Sequence, residues 1–369
     1  MTEQEIVKEL GAAMDRMRGH PLADTARIIV ETALRSDLGC RRKALEEAHF
    51  LLQVMPKTET DELHIDLSLI LNLGILLNGL SRLDRPIIPV YHEAFGLEWG
   101  HTARKLHTDA RTWQPVHLIF MNRTEQQPLD LLGYPWLVHE LVHYAFANQL
   151  PLFYQGHQIL NTRVQQWNLA SLAVNDPVSQ QITKDFRTYW IPKESQFDWP
   201  HEIAVDAVCM LLLGPVYVSA LQREYADATD TINAYQIEPD HIPIELRTQA
   251  MIRIGEQLGW EAEVEPLRLL QQQWQRQWPE AARASRYRTL RDHALIAEAQ
   301  RAALEYATSV RLPQLTPARL TELSAAAEDV APLQGLDLII SAWCMYQRHQ
   351  GGEGYATWTA RLLQSFADE

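Results

Sequence analysis

The chain has 369 residues, 46% hydrophobic and 22% charged, with 16 glycines and 19 prolines, a globular balance that excludes disordered, collagen-like and coiled-coil chains. Its 33 basic and 47 acidic residues leave a formal charge of −14, which repels phosphate backbones and anionic membranes, so nucleic acid is not expected as a partner. Three widely spaced cysteines (Cys40, Cys209 and Cys344) fit a reducing compartment rather than a disulfide framework.

Residues 1–10 (MTEQEIVKEL) are acidic and amphipathic, without the basic and apolar regions of a signal peptide, so a cytoplasmic location is expected. Helical spacing runs from Thr2 to about Arg85, with Ile6, Leu10, Ala13 and Met14 on one face and similar patterns over 24–34 and 43–54. The periodicity then weakens. Residues 86–91 (PIIPVY) and 116–121 (VHLIFM) are the strand candidates. From Tyr134 to Phe366 the helical pattern returns, broken by loops around Asn175, Lys193, Pro239 and Pro313. Two stretches approach membrane spans, but Asn72 and Asn78 interrupt 67–80, and Asp206 interrupts 204–221. Both fall short of about 20 clean apolar residues, so no membrane span is expected. The pattern divides into a helical N-terminal region (1–85), a middle region with a small sheet (86–260) and a helical C-terminal region (261–369).

The chemistry gathers in residues 134–150, YPWLVHELVHYAFANQL, where His139, Glu140 and His143 form HExxH. Pro135 suits a first helical turn, and Leu137, Val138, Leu141, Val142, Ala145 and Phe146 make the helix apolar on most sides, as in an interior. Histidines four residues apart share a face and can reach one metal ion. Glu140, about 100° around the helix from His139, can stand beside that metal and hold its water. The alternative is a buried helix whose histidines bond to nearby carbonyls.

Zinc needs a third protein ligand. The metzincin extension, with a third histidine after a glycine, is excluded by Phe146 and Gln149 at those positions. Residues 198–215, DWPHEIAVDAVCMLLLGP, offer Glu202 and Asp206 in an ExxxD relation, with Asp198 as N-cap, Pro200 in the first turn and Gly214-Pro215 as a stop. Charges on so apolar a helix are costly unless paired or bound to metal. Glu202 then reads as the ligand, and Asp206 as the acceptor that fixes a ligand histidine's tautomer. The alternative is an exposed Glu202 favoured by the helix dipole, with Asp206 paired to an arginine. His201 points elsewhere on the helix and reads as a surface or outer group, and the scattered tryptophans as core.

HExxH followed by ExxxD resembles the gluzincin metallopeptidases, the group that includes thermolysin. Residues 240–253, DHIPIELRTQAMIR, are similar to the His-Pro…Arg element of the CAAX-prenyl-protease and heat-shock membrane protease families, with Ile242 set between His241 and Pro243. The likeness covers residues 115–255. It implies a mainly α protein whose middle region is a zincin-like α+β metallopeptidase core with a small central sheet, holding Zn2+ and acting on a peptide or protein substrate. It further implies that His241 stabilises the oxyanion and that Arg247 organises the cleft. Glu140 would serve as general base, with Tyr217 or Tyr235 as other oxyanion donors. The 116–121 run could receive a substrate as an added strand, or be an ordinary core strand. The 57 residues between His143 and His201 could cover the cleft. A second reading, from another class, is a catalytically idle zincin-fold interaction or sensor protein whose helical flanks bind a partner.

Overall fold

The computed structural model describes residues 3–16, 87–91, 104–105, 117–121, 131–146, 150–170, 177–192, 198–228, 233–238, 242–328, 333 and 335–367. Among the described residues, helix α1 (Glu3–Arg16) is followed by three short strands, β1 (Ile87–Tyr91), β2 (Arg104–Lys105) and β3 (His117–Met121). They pair in the order β1-β3-β2, with β1 parallel and β2 antiparallel to β3. His117 and Leu118 are therefore paired on both sides, which argues against β3 as a free edge for a substrate strand. The helical patterns over 24–34 and 43–54 lie outside the described residues.

The chain divides into two compact units. One comprises residues 1–74, 83–130 and 359–369, and the other residues 75–82 and 131–358. Residue 260 falls inside the second unit, so helices from the expected middle and C-terminal regions share one body. The regular structure among its described residues is helical, with no strand. This corrects the expectation of a zincin-like α+β core around a central sheet. The HExxH helix is packed by other helices, and the short strands belong to the other unit. A five-residue motif specifies the helix that bears it, not the layers around it. Among the described residues no helix is long and apolar enough to cross a membrane.

After a 3-10 turn at Leu131–Gly133, the second unit continues with α2 (Tyr134–Phe146), α3 (Leu150–Phe153), α4 (Gly156–Ala170), α5 (Pro177–Trp190), α6 (Trp199–Leu213), α7 (Pro215–Ala228) and α8 (Ile244–Gln257). Beyond these come α9 (Glu265–Gln277), α10 (Pro279–Arg283), α11 (Ser285–Leu290), α12 (His293–Ser309), α13 (Pro317–Ala326) and α14 (Gly335–His349), and α15 (Glu353–Ala367) begins in this unit and continues into residues 359–369 of the other. The centre is α6, whose 15 residues are all buried. An all-round apolar helix can only be stable there. Helices α2, α7, α8 and α12 surround it.

Local signals bound α6. The Asp198 side chain accepts from the His201 amide at 3.1 Å, and Pro200 stands in the first turn. At the other end Gly214 takes φ +52, and its N–H bonds to Met210 O at 2.9 Å. A Cβ on Gly214 would meet the Trp260 ring at 3.0 Å, so both conformation and space require glycine.

The helices after His143 interlock with this core. The Tyr154 hydroxyl donates to Trp190 O at 3.2 Å, and Trp190 Nε1 donates to Leu290 O at 2.9 Å. Trp190 meets Trp199 edge-on, with ring centroids 5.4 Å apart. Tyr154, Tyr189 and Trp190 are thus packing residues of the core. Gln300 Nε2 donates to Ala250 O at 2.6 Å and ties α12 to α8.

Candidate metal centre

Helices α2 and α6 set four side chains face to face. His139 and His143, one turn apart on α2, turn their Nε2 atoms to within 3.0 Å of each other. The Glu202 carboxylate, from the first turn of α6, lies 3.5 Å from His139 Nε2 and 3.3 Å from His143 Nε2. All three residues are buried. Glu140 is half-buried, and its carboxylate comes within 4.8 Å of both ring nitrogens. These separations fit a metal ion. Tetrahedral bonds of about 2.0–2.1 Å place neighbouring ligand atoms about 3.3 Å apart, close to what the three side chains adopt.

Behind His139 stands Asp206, one turn after Glu202, with Oδ1 3.2 Å from His139 Nδ1. Arg247, from α8, grips this carboxylate twice, Nε to Oδ2 at 2.7 Å and Nη2 to Oδ1 at 2.8 Å. Its Nη2 is also 3.6 Å from Glu202 Oε2, and its guanidinium lies 5.5 Å from the centre of the Trp136 ring. Tyr217, from the first turn of α7, donates its hydroxyl proton to Asp206 Oδ1 and sits 2.9 Å from His139 Nδ1.

The charges around Glu202 favour a cation. Asp206 takes up the charge of Arg247, so Glu202 is left as a buried carboxylate in need of a cation. The imidazoles of His139 and His143 and the Arg247 guanidinium face that carboxylate. Burial would lower the His139 imidazole, but hydrogen bonds to Asp206, Cys209 and Glu202 outweigh it and hold it well above its ordinary value. Burial would raise Glu202, yet the charge of His143 and the hydrogen bonds of both histidines, then Arg247, hold it well below the carboxylate range. For Asp206, burial is outweighed first by Arg247 and then by His139, and the carboxyl is held at about 2. Burial and then Asp206 push the Tyr217 hydroxyl well up, so it keeps its proton. A divalent cation would replace the His139 proton and satisfy Glu202 at once.

The structure brings together His139, Glu140, His143, Glu202, Asp206 and Arg247. Asp206 contacts both His139 and Arg247. His241 lies outside the described residues. His201 is corrected: it is 1% exposed, with Nδ1 2.8 Å from Asp198 Oδ1, because the capping carboxylate also accepts from its ring. Tyr217 is corrected as an oxyanion donor, since its hydroxyl binds Asp206 on the far side of the His139 ring from Nε2. Tyr235 packs edge-on against Tyr287, with centroids 5.1 Å apart. Trp136, one of the tryptophans that read as core, touches the site through Arg247 and through an edge contact with His139 at 5.6 Å. Its position one turn before His139 on the same helix face was the available signal. Cys209, one turn after Asp206, is a buried free thiol against His139, and burial pushes it up.

No protein-family profile, curated protein or solved structure matches this chain.

Proposed function

We propose that this chain is a metal-dependent hydrolase of peptide bonds, with zinc as the metal and a peptide or protein as substrate. The observation that carries this reading is the convergence of His139 Nε2, His143 Nε2 and the Glu202 carboxylate at 3.0–3.5 Å, with Glu140 beside them. His139, His143 and Glu202 are the residues that would hold the ion. When bound, zinc supplies Lewis acidity to a scissile carbonyl and acidifies a water toward a pKa of about 7. Glu140 takes the proton of the attacking water and returns it to the leaving amine. Asp206 and Arg247 hold His139 in orientation from behind. His241, two residues ahead of the Pro243 that opens α8, is assigned to the developing oxyanion on the resemblance of its segment. Two imidazoles and a carboxylate also accept manganese, cobalt or iron, so the metal is part of the test.

The test has two stages. Protein purified without chelator or added metal should carry close to one zinc per chain, and His139→Ala should lose it. Glu140→Gln should keep the metal, while cleavage of unfolded or short peptides falls by about 10²–10⁴-fold. A folded wild type that refuses zinc overturns the metal reading. Bound zinc with no cleavage dependent on Glu140 favours the idle scaffold whose helical flanks bind a partner.

A further inference from the structure

Four donors surround the two oxygens of Asp206, and their arrangement determines where the proton of His139 sits. Arg247 occupies both oxygens through Nε and Nη2, at 2.7 and 2.8 Å. A carboxylate gripped by a guanidinium is an acceptor only, so the close contact between Tyr217 Oη and Asp206 Oδ1 must carry the tyrosine proton. A phenol has one proton. Toward His139 Nδ1, 2.9 Å away, the same oxygen can therefore only accept.

We propose that Tyr217 is a positioning residue that fixes the tautomer of the neutral His139 ring: Nδ1–H donates to Tyr217, Tyr217 donates to Asp206, and Nε2 is the nitrogen that gives up its proton and turns a lone pair toward His143 and Glu202. The inference rests on the reading of His139 as a metal ligand and goes beyond it, because it places a tyrosine between the histidine and its carboxylate. Three further observations support it. Asp206 Oδ1 is farther from His139 Nδ1, at 3.2 Å, than Tyr217 Oη is. Arg247 Nη2, 3.5 Å from Nδ1, has no lone pair to accept with. The Tyr217 ring cannot turn away, since it is fully buried, stacked on His139 at 6.2 Å and 16°, and held edge-on by Trp136 at 5.9 Å. The reverse pattern, with Tyr217 donating to Nδ1, would leave the close contact between the Tyr217 and Asp206 oxygens without a proton and put the histidine proton on Nε2, where it blocks ligation.

The test uses full-length protein and zinc alone. In chelator competition, Tyr217→Phe should bind zinc about 10–100-fold more weakly than wild type and reach the same stoichiometry at saturation. Zinc-loaded wild type with ring-15N histidine should show a slowly exchanging, hydrogen-bonded proton on His139 Nδ1, and Tyr217→Phe should exchange that proton faster. A packing role alone would shift the melting temperature and leave the ring proton unchanged. If Tyr217→Phe does not fold, 3-fluorotyrosine at position 217 keeps the ring in place, and its weaker acceptor oxygen should move the Nδ1 proton resonance, which a proton held by Asp206 would leave where it is. Unchanged zinc affinity in Tyr217→Phe, or a wild-type His139 without a proton on Nδ1, overturns the role of Tyr217. A wild type that takes up no zinc overturns the metal reading beneath it.

Discussion

Arg247 and Asp206, 41 residues apart in the chain, meet through two hydrogen bonds of 2.7 and 2.8 Å that tie α8 to the central helix α6. The carboxylate side chain is 1% exposed and the arginine side chain 14%, so neither charge is served by bulk water. The same carboxylate lies 3.2 Å from His139 Nδ1, which makes this ion pair a structural condition for the proposed metal site.

Removing one charge of a buried pair leaves the other uncompensated, which typically costs about 3–5 kcal/mol. Arg247→Met should destabilise the metal-free protein by that order, and Arg247→Met combined with Asp206→Asn by less than the sum of the single changes. Urea unfolding curves measure both. A loss below about 1 kcal/mol in Arg247→Met would mean that solvent replaces the guanidinium.

Glu202→Gln keeps the shape of the side chain and removes its charge. Zinc affinity should then fall by more than the roughly 10–100-fold expected for loss of an outer partner. Chelator competition provides the number. Wild-type affinity in the variant would move the third ligand from Glu202 to Glu140, whose carboxylate also lies within 4.8 Å of the ring nitrogens.

Acid should weaken the metal-free protein through Asp206. Its folded pKa of about 2 lies below its ordinary value of 3.8, so its contribution is present above pH 4 and lost as pH falls toward 2. The shift corresponds to about 2 kcal/mol. The stability gap between wild type and Asp206→Asn should narrow across that window, and a gap independent of pH would contradict it. His139 acts in the opposite direction. Held above its ordinary 6.5, it stabilises the metal-free protein below that pH and loses the effect as pH rises through the folded value. Zinc must displace that proton, so calorimetry in buffers of different ionisation enthalpy should record proton release on binding near pH 7. Zinc uptake without proton release would exclude a protonated His139 in the metal-free state.

Gly214→Ala tests the turn between α6 and α7. A side chain there meets the Trp260 ring at 3.0 Å and an unfavourable φ of +52, so a loss of about 1–3 kcal/mol is expected in thermal unfolding. Because the turn sets the start of α7, and with it Tyr217, zinc affinity should also fall. Equal stability would show that the turn tolerates a residue with a Cβ.

Local chemistry made much of the site legible in advance. His139 and His143 share a face because they are one turn apart, and so do Glu202 and Asp206. Asp198, Pro200 and Gly214 mark the ends of α6 through preferences that act within a few residues. The layers around these helices were not legible. The central sheet followed from a likeness carried by short motifs, and the helices that pack on α6 come largely from beyond residue 213. His201 was misplaced because its burial depends on a ring contact with Asp198 that helical phase alone does not reveal.

The sequence by itself determined the ligand set that can be proposed, because HExxH and ExxxD each place two functional groups on one helical face through a fixed 3.6-residue period. Tertiary structure alone decided what stands behind those groups. Tyr217 reaches His139 across 78 residues, Arg247 reaches Asp206 across 41, and Trp136 lies against Arg247. No helical period relates such positions. They meet because α6 can be stable only when α2, α7, α8 and α12 cover every side of it, and that packing brings one arginine and one tyrosine to the carboxylate that α6 buries.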